Sequence, residues 1–197
     1  MDRSSRGYAF VRIRTPSLLK TFDPTVLELE NRRVTAVHRV GKRIVFELDG
    51  EFFAVIHLMI SGRLQWRERG TAVPKKRGHA AFDFSNGTLL LTEASTHKRA
   101  SLHVVRGGAA LAALDPGGVE PLEVDFRTFR EALLRENRTL KRALTDPSIL
   151  SGIGNAYSDE ILLDARLSPV RRTPPAPLRV DPPLSSRLGG AASIGVR

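Results

Sequence analysis

The sequence contains no cysteine, and this absence removes several classes of protein at once. Disulfide-bonded scaffolds, thiol-dependent enzymes and zinc sites built on thiolates are all excluded for these 197 residues. The chain also lacks any run of about 18 apolar residues that could cross a membrane. Its N-terminus lacks the apolar centre of a signal peptide. The sequence therefore predicts a soluble, cytoplasmic protein without a membrane partner.

Acidic residues are in the minority. The chain has 21 Asp and Glu against 31 Lys and Arg, which gives a formal net charge of +10 and a pI near 10.9. Such an excess favours polyanionic partners, with nucleic acid first and an anionic membrane surface second. The alternative is a basic soluble protein without a polyanionic partner.

From Tyr8 to about Val105, the first half of the chain alternates in the period of β-strands. Residues 1–7 are predicted to form a flexible leader, and alternation begins at Tyr8. The Asp49-Gly50 and Asn86-Gly87 pairs separate consecutive strand candidates and are typical of hairpins. The remaining strand candidates are residues 33–38, 43–48, 52–58, 63–67, 80–84, 88–92 and 101–105. Many short strands with tight turns predict a β-sandwich or barrel.

The pattern then changes to helical spacing. Asp125 is a suitable N-cap for a first helix, a second covers roughly 139–144, and a third runs from Asn155 to about Arg166. In the third helix, Tyr157, Ile161 and Ala165 recur at four-residue steps and predict its apolar face. We therefore predict a β domain over 8–120, a helical domain over 121–170 and a disordered tail rich in Pro, Arg and Gly over 171–197.

The turn Gly152-Ile153-Gly154-Asn155 precedes the third helix and has the features of an anion site. Glycine removes side chains that block close approach, and a helix N-terminus carries partial positive charge. Lys141 lies close by in sequence and adds a cation. For these four residues alone, an ordinary glycine turn with an asparagine cap remains the alternative.

The segments around this turn resemble one known family. The matching segments, in chain order, are Gly41–Leu48 (GKRIVFEL), His57–Leu64 (HLMISGRL), Phe82–Gly87 (FDFSNG), Thr92-Glu93, Leu150–Tyr157 (LSGIGNAY) and Leu167–Pro169. They are similar to the motifs of the formamidopyrimidine-DNA glycosylase and endonuclease VIII family, over about residues 8–170. The resemblance implies an α+β fold, in which an N-terminal β-sandwich of about eight short antiparallel strands precedes a helix–two-turn–helix domain.

The resemblance also implies damaged-DNA binding and base-excision repair by a DNA glycosylase with abasic-site lyase activity. Lys42 falls on the family lysine that contacts phosphate and assists proton transfer, although a surface lysine at a strand edge is the alternative. Asn155, Gly152 and Gly154 fall on the phosphate-binding turn. The other expected DNA contacts are Ile60 at a void-filling position, Lys98 and Arg99 in a loop that enters the duplex, Lys141, and His79 after a basic loop. Double-stranded damaged DNA is the expected partner of a monomer at the bacterial nucleoid.

Two departures from the family pattern stand at the ends of the sequence. The family nucleophile is an N-terminal proline followed by glutamate, whereas this sequence begins Met1-Asp2 and is expected to lack the first helix of the β domain. The family zinc finger, with its cysteine ligands, is also absent, so no cofactor is expected. His57, His79, His97 and His103 lack metal-ligand spacing, so no metal site is predicted. The two departures at the ends of the sequence lead to the hypothesis of a truncated or frame-shifted coding sequence. A catalytically dead DNA-binding remnant and, more remotely, an RNA-binding protein are the alternative functions.

Overall fold

The computed structural model describes residues 8–14 and 18–173 and divides into two units, Met1–Leu114 and Asp115–Arg197. The strands of the first unit are β1 (Phe10–Arg14), β2 (Val34–Val40), β3 (Arg43–Leu48), β4 (Phe52–His57), β5 (Gly62–Arg67), β6 (Gly78–Phe84), β7 (Gly87–Glu93) and β8 (Ser101–Arg106). A 3-10 helix, Val26–Leu29, lies between β1 and β2, and α1 (Gly108–Ala112) follows β8.

The eight strands form two antiparallel sheets of four, in the orders β1-β6-β7-β5 and β2-β3-β4-β8. Alternate residues of each strand face a common core. Phe82 and Phe84 of the first sheet belong to the same buried cluster as Phe46 and Phe52 of the second. Two sheets that share one apolar core make a β-sandwich, because each sheet can bury only one face against the other. The predicted α+β fold class is confirmed.

The two predicted hairpins differ in detail from their sequence signals. The β3–β4 connection contains Glu51 as well as Asp49-Gly50, since Leu48 pairs with Phe52. Both Gly50 and Glu51 are left-handed, with φ of 73° and 61°. In the β6–β7 hairpin Phe84 pairs with Gly87, so Gly87 opens β7 and lies outside the turn. A Cβ atom at Gly87 would lie 2.4 Å from the Trp66 ring, and close packing explains this glycine.

The sequence did not predict helix α1. With this helix included, the division between the two units differs from the predicted one. Its Ala110 and Leu111, together with Leu114, pack against valines and a phenylalanine on the outer face of the second sheet. The first unit therefore extends to Leu114, and the division falls before the predicted boundary at residue 120. Covering these outward apolar side chains removes them from water, which ties α1 to the β unit.

The second unit contains α2 (Phe126–Leu134), α3 (Leu140–Thr145) and α4 (Asn155–Asp164). Asp125 caps α2 as predicted, because its carboxylate accepts a hydrogen bond of 2.8 Å from the Thr128 amide. The predicted apolar face of α4 is only partly correct, because Ile161 packs against the core but does not form its centre. Ser158 and Leu162 are its buried residues, whereas Tyr157 is exposed. The core of this unit lies between the helices and the turn after α3, with Ile149 and Leu150 fully buried.

The start of the predicted tail belongs to the helical unit. The Arg171 carbonyl accepts from the Leu140 amide at 2.8 Å, and the buried Thr173 hydroxyl donates to the Glu136 carbonyl at 2.7 Å. Residues 171–173 are therefore held against the start of α3, which corrects the predicted tail boundary. The predicted leader 1–7 and the rest of the tail, 174–197, lie outside the described residues.

Candidate nucleic-acid interface

The turn between α3 and α4 is held by an aspartate and by the core. The Asp146 carboxylate accepts from the Ser148 amide and hydroxyl at 2.9 and 2.6 Å, and it forms an ion pair with Arg138. These hydrogen bonds, Ser148 first, keep the pKa of Asp146 below its ordinary value although burial opposes them. On the other side of the turn, Ile153 is buried in the core cluster. The backbone between these anchors is therefore fixed.

The two glycines of the turn play different structural roles. Gly152 has a φ of 84°, a conformation that L-residues with a side chain rarely adopt. Gly154 is the N-cap of α4 with extended backbone, and a Cβ built on it would meet no atom within 4 Å. Gly152 is required by the chain path. Gly154 instead leaves open space in front of the helix N-terminus.

Asn155 is exposed at the first position of α4. Its carbonyl accepts from the Ser158 hydroxyl at 2.7 Å, while its side-chain amide has no hydrogen-bond partner among the described residues. The first backbone amides of a helix lack partners within the helix and point outward. The Asn155 side-chain amide and the first backbone amides of α4 can therefore donate hydrogen bonds to an anion. The open space before Gly154 lets the anion approach them.

Lys141 is not a free cation in this unit. Its ammonium lies 2.6 Å from the Asp159 carboxylate of α4, and both side chains are partly exposed. An exposed ion pair of this kind contributes little stability and can exchange partners easily. The predicted contact between Lys141 and DNA stays a prediction, and it requires that a phosphate compete with Asp159.

Lys42 lies in the tight turn between β2 and β3, after the left-handed Gly41. It is exposed to solvent, yet partial desolvation lowers the pKa of its ammonium group. The next residue, Arg43, pairs across the sheet with His57 of β4. His103 of β8 pairs with Val55, two residues before His57. The sheet register thus collects four basic side chains at one end of the second sheet.

The two histidines of this group have lowered pKa values. Burial is the larger cause for both, and the positive charge of Arg43 adds to it; Lys42 acts further on His57 and Lys20 on His103. Sequence reasoning did not place His103 beside Lys42 and His57, because only the pairing of β4 with β8 brings it there.

Ile60 stands at the tip of a tight turn from Leu58 to Gly62. The Gly62 amide donates to the Leu58 carbonyl at 3.0 Å, and Met59 is left-handed with a φ of 55°. A Cβ atom at Gly62 would lie 2.3 Å from the Leu58 carbonyl oxygen, so only glycine closes this turn. Ile60 is 79% exposed at the tip of the turn, which is the position that an inserting apolar wedge needs.

Lys98 and Arg99 lie in the exposed segment 94–99 between β7 and β8. The Lys98 ammonium donates to the Gly78 carbonyl, and the Arg99 amide donates to the Glu93 carboxylate. The end of segment 94–99 is therefore held in place by hydrogen bonds to Gly78 and Glu93. The structure also ties the Ile60 turn to Glu93, because the Ser61 hydroxyl lies 3.4 Å from the same carboxylate.

The structure corrects the expected contact of His79 with DNA. His79 lies in β6 with only 6% of its surface exposed, and its Nε2 atom is 3.4 Å from the Ala100 carbonyl and 3.8 Å from Glu93. The sequence placed it at the end of a basic loop, whereas β6 already begins at Gly78 and turns it inward. A direct contact with a phosphate is not available to this side chain.

Within residues 8–14 and 18–173, no group of three His, Asp or Glu side chains is arranged to hold a metal ion. In the same residues, no helix has both the length and the apolar character needed to cross a membrane.

Two family models match the chain in the order of its two units. The formamidopyrimidine-DNA glycosylase N-terminal domain matches residues 6–104, and the H2TH domain of the same glycosylase matches residues 118–175. The chain belongs to the formamidopyrimidine-DNA glycosylase family. The resemblance noted in the sequence is thereby confirmed.

Curated relatives from several bacteria carry the same name. The formamidopyrimidine-DNA glycosylase of Heliobacterium modesticaldum is 36% identical over 172 residues, which are 82% of this chain and 61% of the relative. That of Mycoplasma genitalium is 31% identical over 163 residues, 81% of this chain and 57% of the relative. The chain thus spans about three fifths of the length of these relatives.

Solved structures confirm the fold. The complex of Lactococcus lactis FPG (MutM) with DNA containing Fapy-dG superposes on this chain with a TM-score of 0.77 and 22% sequence identity. The superposition covers 95% of this chain and 71% of the Lactococcus lactis chain. The complex of an inhibited LlFpg with DNA containing N7-benzyl-Fapy-dG has a TM-score of 0.75 and 24% identity, with 86% and 65% covered.

Proposed function

We propose that this chain binds double-stranded DNA at a damaged base, as a monomer, in base-excision repair by a DNA glycosylase with abasic-site lyase activity. Such a partner would place it at the nucleoid in the bacterial cytoplasm. Family membership supports the reaction class, and the net charge of +10 supports a polyanionic partner.

The turn Gly152–Asn155 is the observation that carries the proposal. The side-chain amide of Asn155 and the first backbone amides of α4 are hydrogen-bond donors at a positively polarised helix end. Gly154 has no side chain that would block an anion from reaching them. A phosphate diester supplies the acceptor oxygens and the negative charge that this arrangement fits. Phosphate contacts position a protein on the duplex and carry no sequence information, as a repair protein requires.

The substitution Asn155→Ala tests this assignment. Loss of one hydrogen bond to a charged phosphate is expected to weaken duplex binding about tenfold. Because the amide is neutral, the slope of affinity against salt should stay as in the wild type. Fluorescence anisotropy with a labelled duplex that carries a tetrahydrofuran abasic-site analogue measures both quantities.

The matched control is Asn137→Ala, which removes an exposed asparagine of the same unit that accepts from Arg172 and lies outside the turn. This control should bind the duplex as the wild type does. Equal affinity of Asn155→Ala and wild type would contradict the phosphate assignment. A single-stranded RNA of equal length, bound as tightly as the duplex, would contradict the choice of DNA.

Borohydride trapping on an abasic duplex tests the catalytic part of the proposal. A lyase passes through a Schiff base between an amine of the protein and the sugar, and borohydride reduces that imine to a stable adduct. A covalent protein–DNA adduct supports lyase chemistry in this chain. Duplex binding without any adduct would leave a DNA-binding protein and remove the lyase activity from the proposal.

A further inference from the structure

Glu93 is a buried carboxylate in the first unit, and the proposed function assigns it no role. It is the last residue of β7, only 2% of its surface is exposed, and it pairs with Gly62 of β5 across the sheet. A carboxylate in such a place is costly unless hydrogen bonds replace its water. Its position therefore requires dedicated donors.

Those donors come from two separate segments. Both carboxylate oxygens lie 3.0 Å from the Arg99 amide, and Oε2 lies 3.2 Å from the Ala100 amide. The Ser61 hydroxyl lies 3.4 Å from Oε1. The carboxylate thus links the end of segment 94–99 to the turn that carries Ile60.

His79 is the remaining polar neighbour of this carboxylate. Its Nε2 lies 3.8 Å from Oε2, which is beyond hydrogen-bond distance, and its buried Nδ1 has no partner among the described residues. No lysine or arginine forms an ion pair with Glu93 in the described part of the chain. The carboxylate is therefore used mainly to accept from backbone amides.

We propose that Glu93 is a positioning residue that holds the Ile60 turn and the Lys98–Arg99 segment as one rigid surface for probing DNA. This inference rests on the proposed function. The anchored groups are the Arg99 and Ala100 amides and the Ser61 hydroxyl, whereas the side chains of Ile60, Lys98 and Arg99 are exposed, with Ile60 at 79%. Groups that insert into a duplex bind best when they are ordered beforehand, because ordering them during binding reduces affinity.

The variant Glu93→Gln tests the inference with little change of shape. Its NH₂ group cannot accept from the Arg99 and Ala100 amides, so one oxygen must serve the donors that two served. We expect the preference for a tetrahydrofuran-containing duplex over an undamaged one to fall about fivefold to tenfold. Affinity for undamaged duplex and its salt dependence should change little, since phosphate contacts dominate both.

Glu68→Gln is the matched control. It removes the same negative charge from an exposed residue just after β5 in the same unit. Any change in duplex affinity that comes from the lost charge alone therefore appears in both variants. Glu68→Gln should keep the wild-type preference for the damaged duplex. An equal loss in both variants would assign the effect to charge and overturn the positioning role.

Amide hydrogen exchange on the DNA-free protein provides a second measurement. In the wild type the Arg99 and Ala100 amides should exchange slowly, and Glu93→Gln should release both. Ser61→Ala cuts only the link to the Ile60 turn, so it should loosen residues 59–61 while Arg99 and Ala100 stay protected. Fast exchange of Arg99 and Ala100 in the wild type would overturn the inference even if Glu93→Gln failed to fold.

The two proposals fail in different ways. If the wild type does not bind any duplex, the proposed function fails, while slow exchange of Arg99 and Ala100 would still show the anchor. If the wild type binds and prefers the damaged duplex, and Glu93→Gln keeps that preference, the positioning role alone is overturned.

Discussion

The two units build their polar sites in different ways. In the helical unit the turn proposed to bind phosphate consists of consecutive residues, 152–155, and its anchor Asp146 accepts hydrogen bonds from Ser148 only two residues away. In the β unit the Glu93 anchor collects Ser61 and Arg99 from two different connections. The first arrangement depends on local chain geometry and the second on the register of the sheets. Substitutions should therefore act locally in the helical unit and across strands in the β unit.

Asp83 and Asp146 give the strongest test of this comparison. The buried Asp83 accepts from Arg14, Arg12 and Thr88 across β1, β6 and β7. Asp83→Asn should lower the free energy of unfolding of the β unit by about 3 kcal/mol, because it unbalances a buried, hydrogen-bonded charge network. Asp146→Asn should cost less, since its partners Ser148 and Arg138 are close in sequence and its own side chain is more exposed than that of Asp83. Urea unfolding with probes in each unit measures both.

The exposed pair Arg127–Glu131 is the control, and Glu131→Gln should leave unfolding unchanged. If Asp146→Asn cost as much as Asp83→Asn, local and register-dependent networks would be energetically equivalent, and the comparison would lose its basis.

The same contrast explains what the sequence could predict. Strand period and hairpin signals located the eight strands because alternation is a property of neighbouring residues, as in Ile44, Phe46 and Leu48. The cap at Asp125 and the turn at Gly152–Asn155 were also readable, since both depend on contiguous residues. The family motifs then assigned the fold to these elements.

The rest depended on contacts between distant residues. His79 was placed at the surface because its burial follows from the pairing of β6 within its sheet. Glu93 stands in the sequence only as part of a family motif, because its contact with Ser61 follows from the pairing of β7 with β5, which sets Glu93 opposite Gly62. Helix α1 begins with glycine and alanine and shows no strong apolar period, so only its contacts with the outer sheet face reveal it. For His79 and Glu93 the missing information was strand register, and for α1 it was packing between distant residues.

Substitutions at the two glycines of the turn proposed to bind phosphate test whether the helical site depends on local chain geometry. Gly152→Ala forces a side chain into a left-handed conformation and should cost about 1 to 2 kcal/mol of unfolding free energy. Gly154→Ala meets no atom within 4 Å and should cost less, within about 1 kcal/mol for a poorer N-cap. Its main effect should be weaker duplex binding, because the methyl group occupies the approach to α4. Thermal unfolding and anisotropy, measured on both variants, separate these effects; equal stability losses would show that conformation at Gly152 is not the constraint.

The smallest expected effect is a pH dependence confined to the β unit. All five histidines lie before Asp115, so the helical unit has none. Burial and neighbouring cations hold the pKa values of His57 and His103 below the ordinary 6.5. The unfolded chain therefore takes up protons first as the pH falls below 6.5, and the β unit should lose stability until the pH passes the folded pKa values. Unfolding between pH 7.5 and 5 should show this decline in the β unit, and the double variant His57→Gln/His103→Gln should reduce it. His97→Gln, at an exposed loop position, is the control and should keep the wild-type profile. An equal decline in the helical unit would mean that groups other than these histidines produce it, and the electrostatic contrast between the units would be lost.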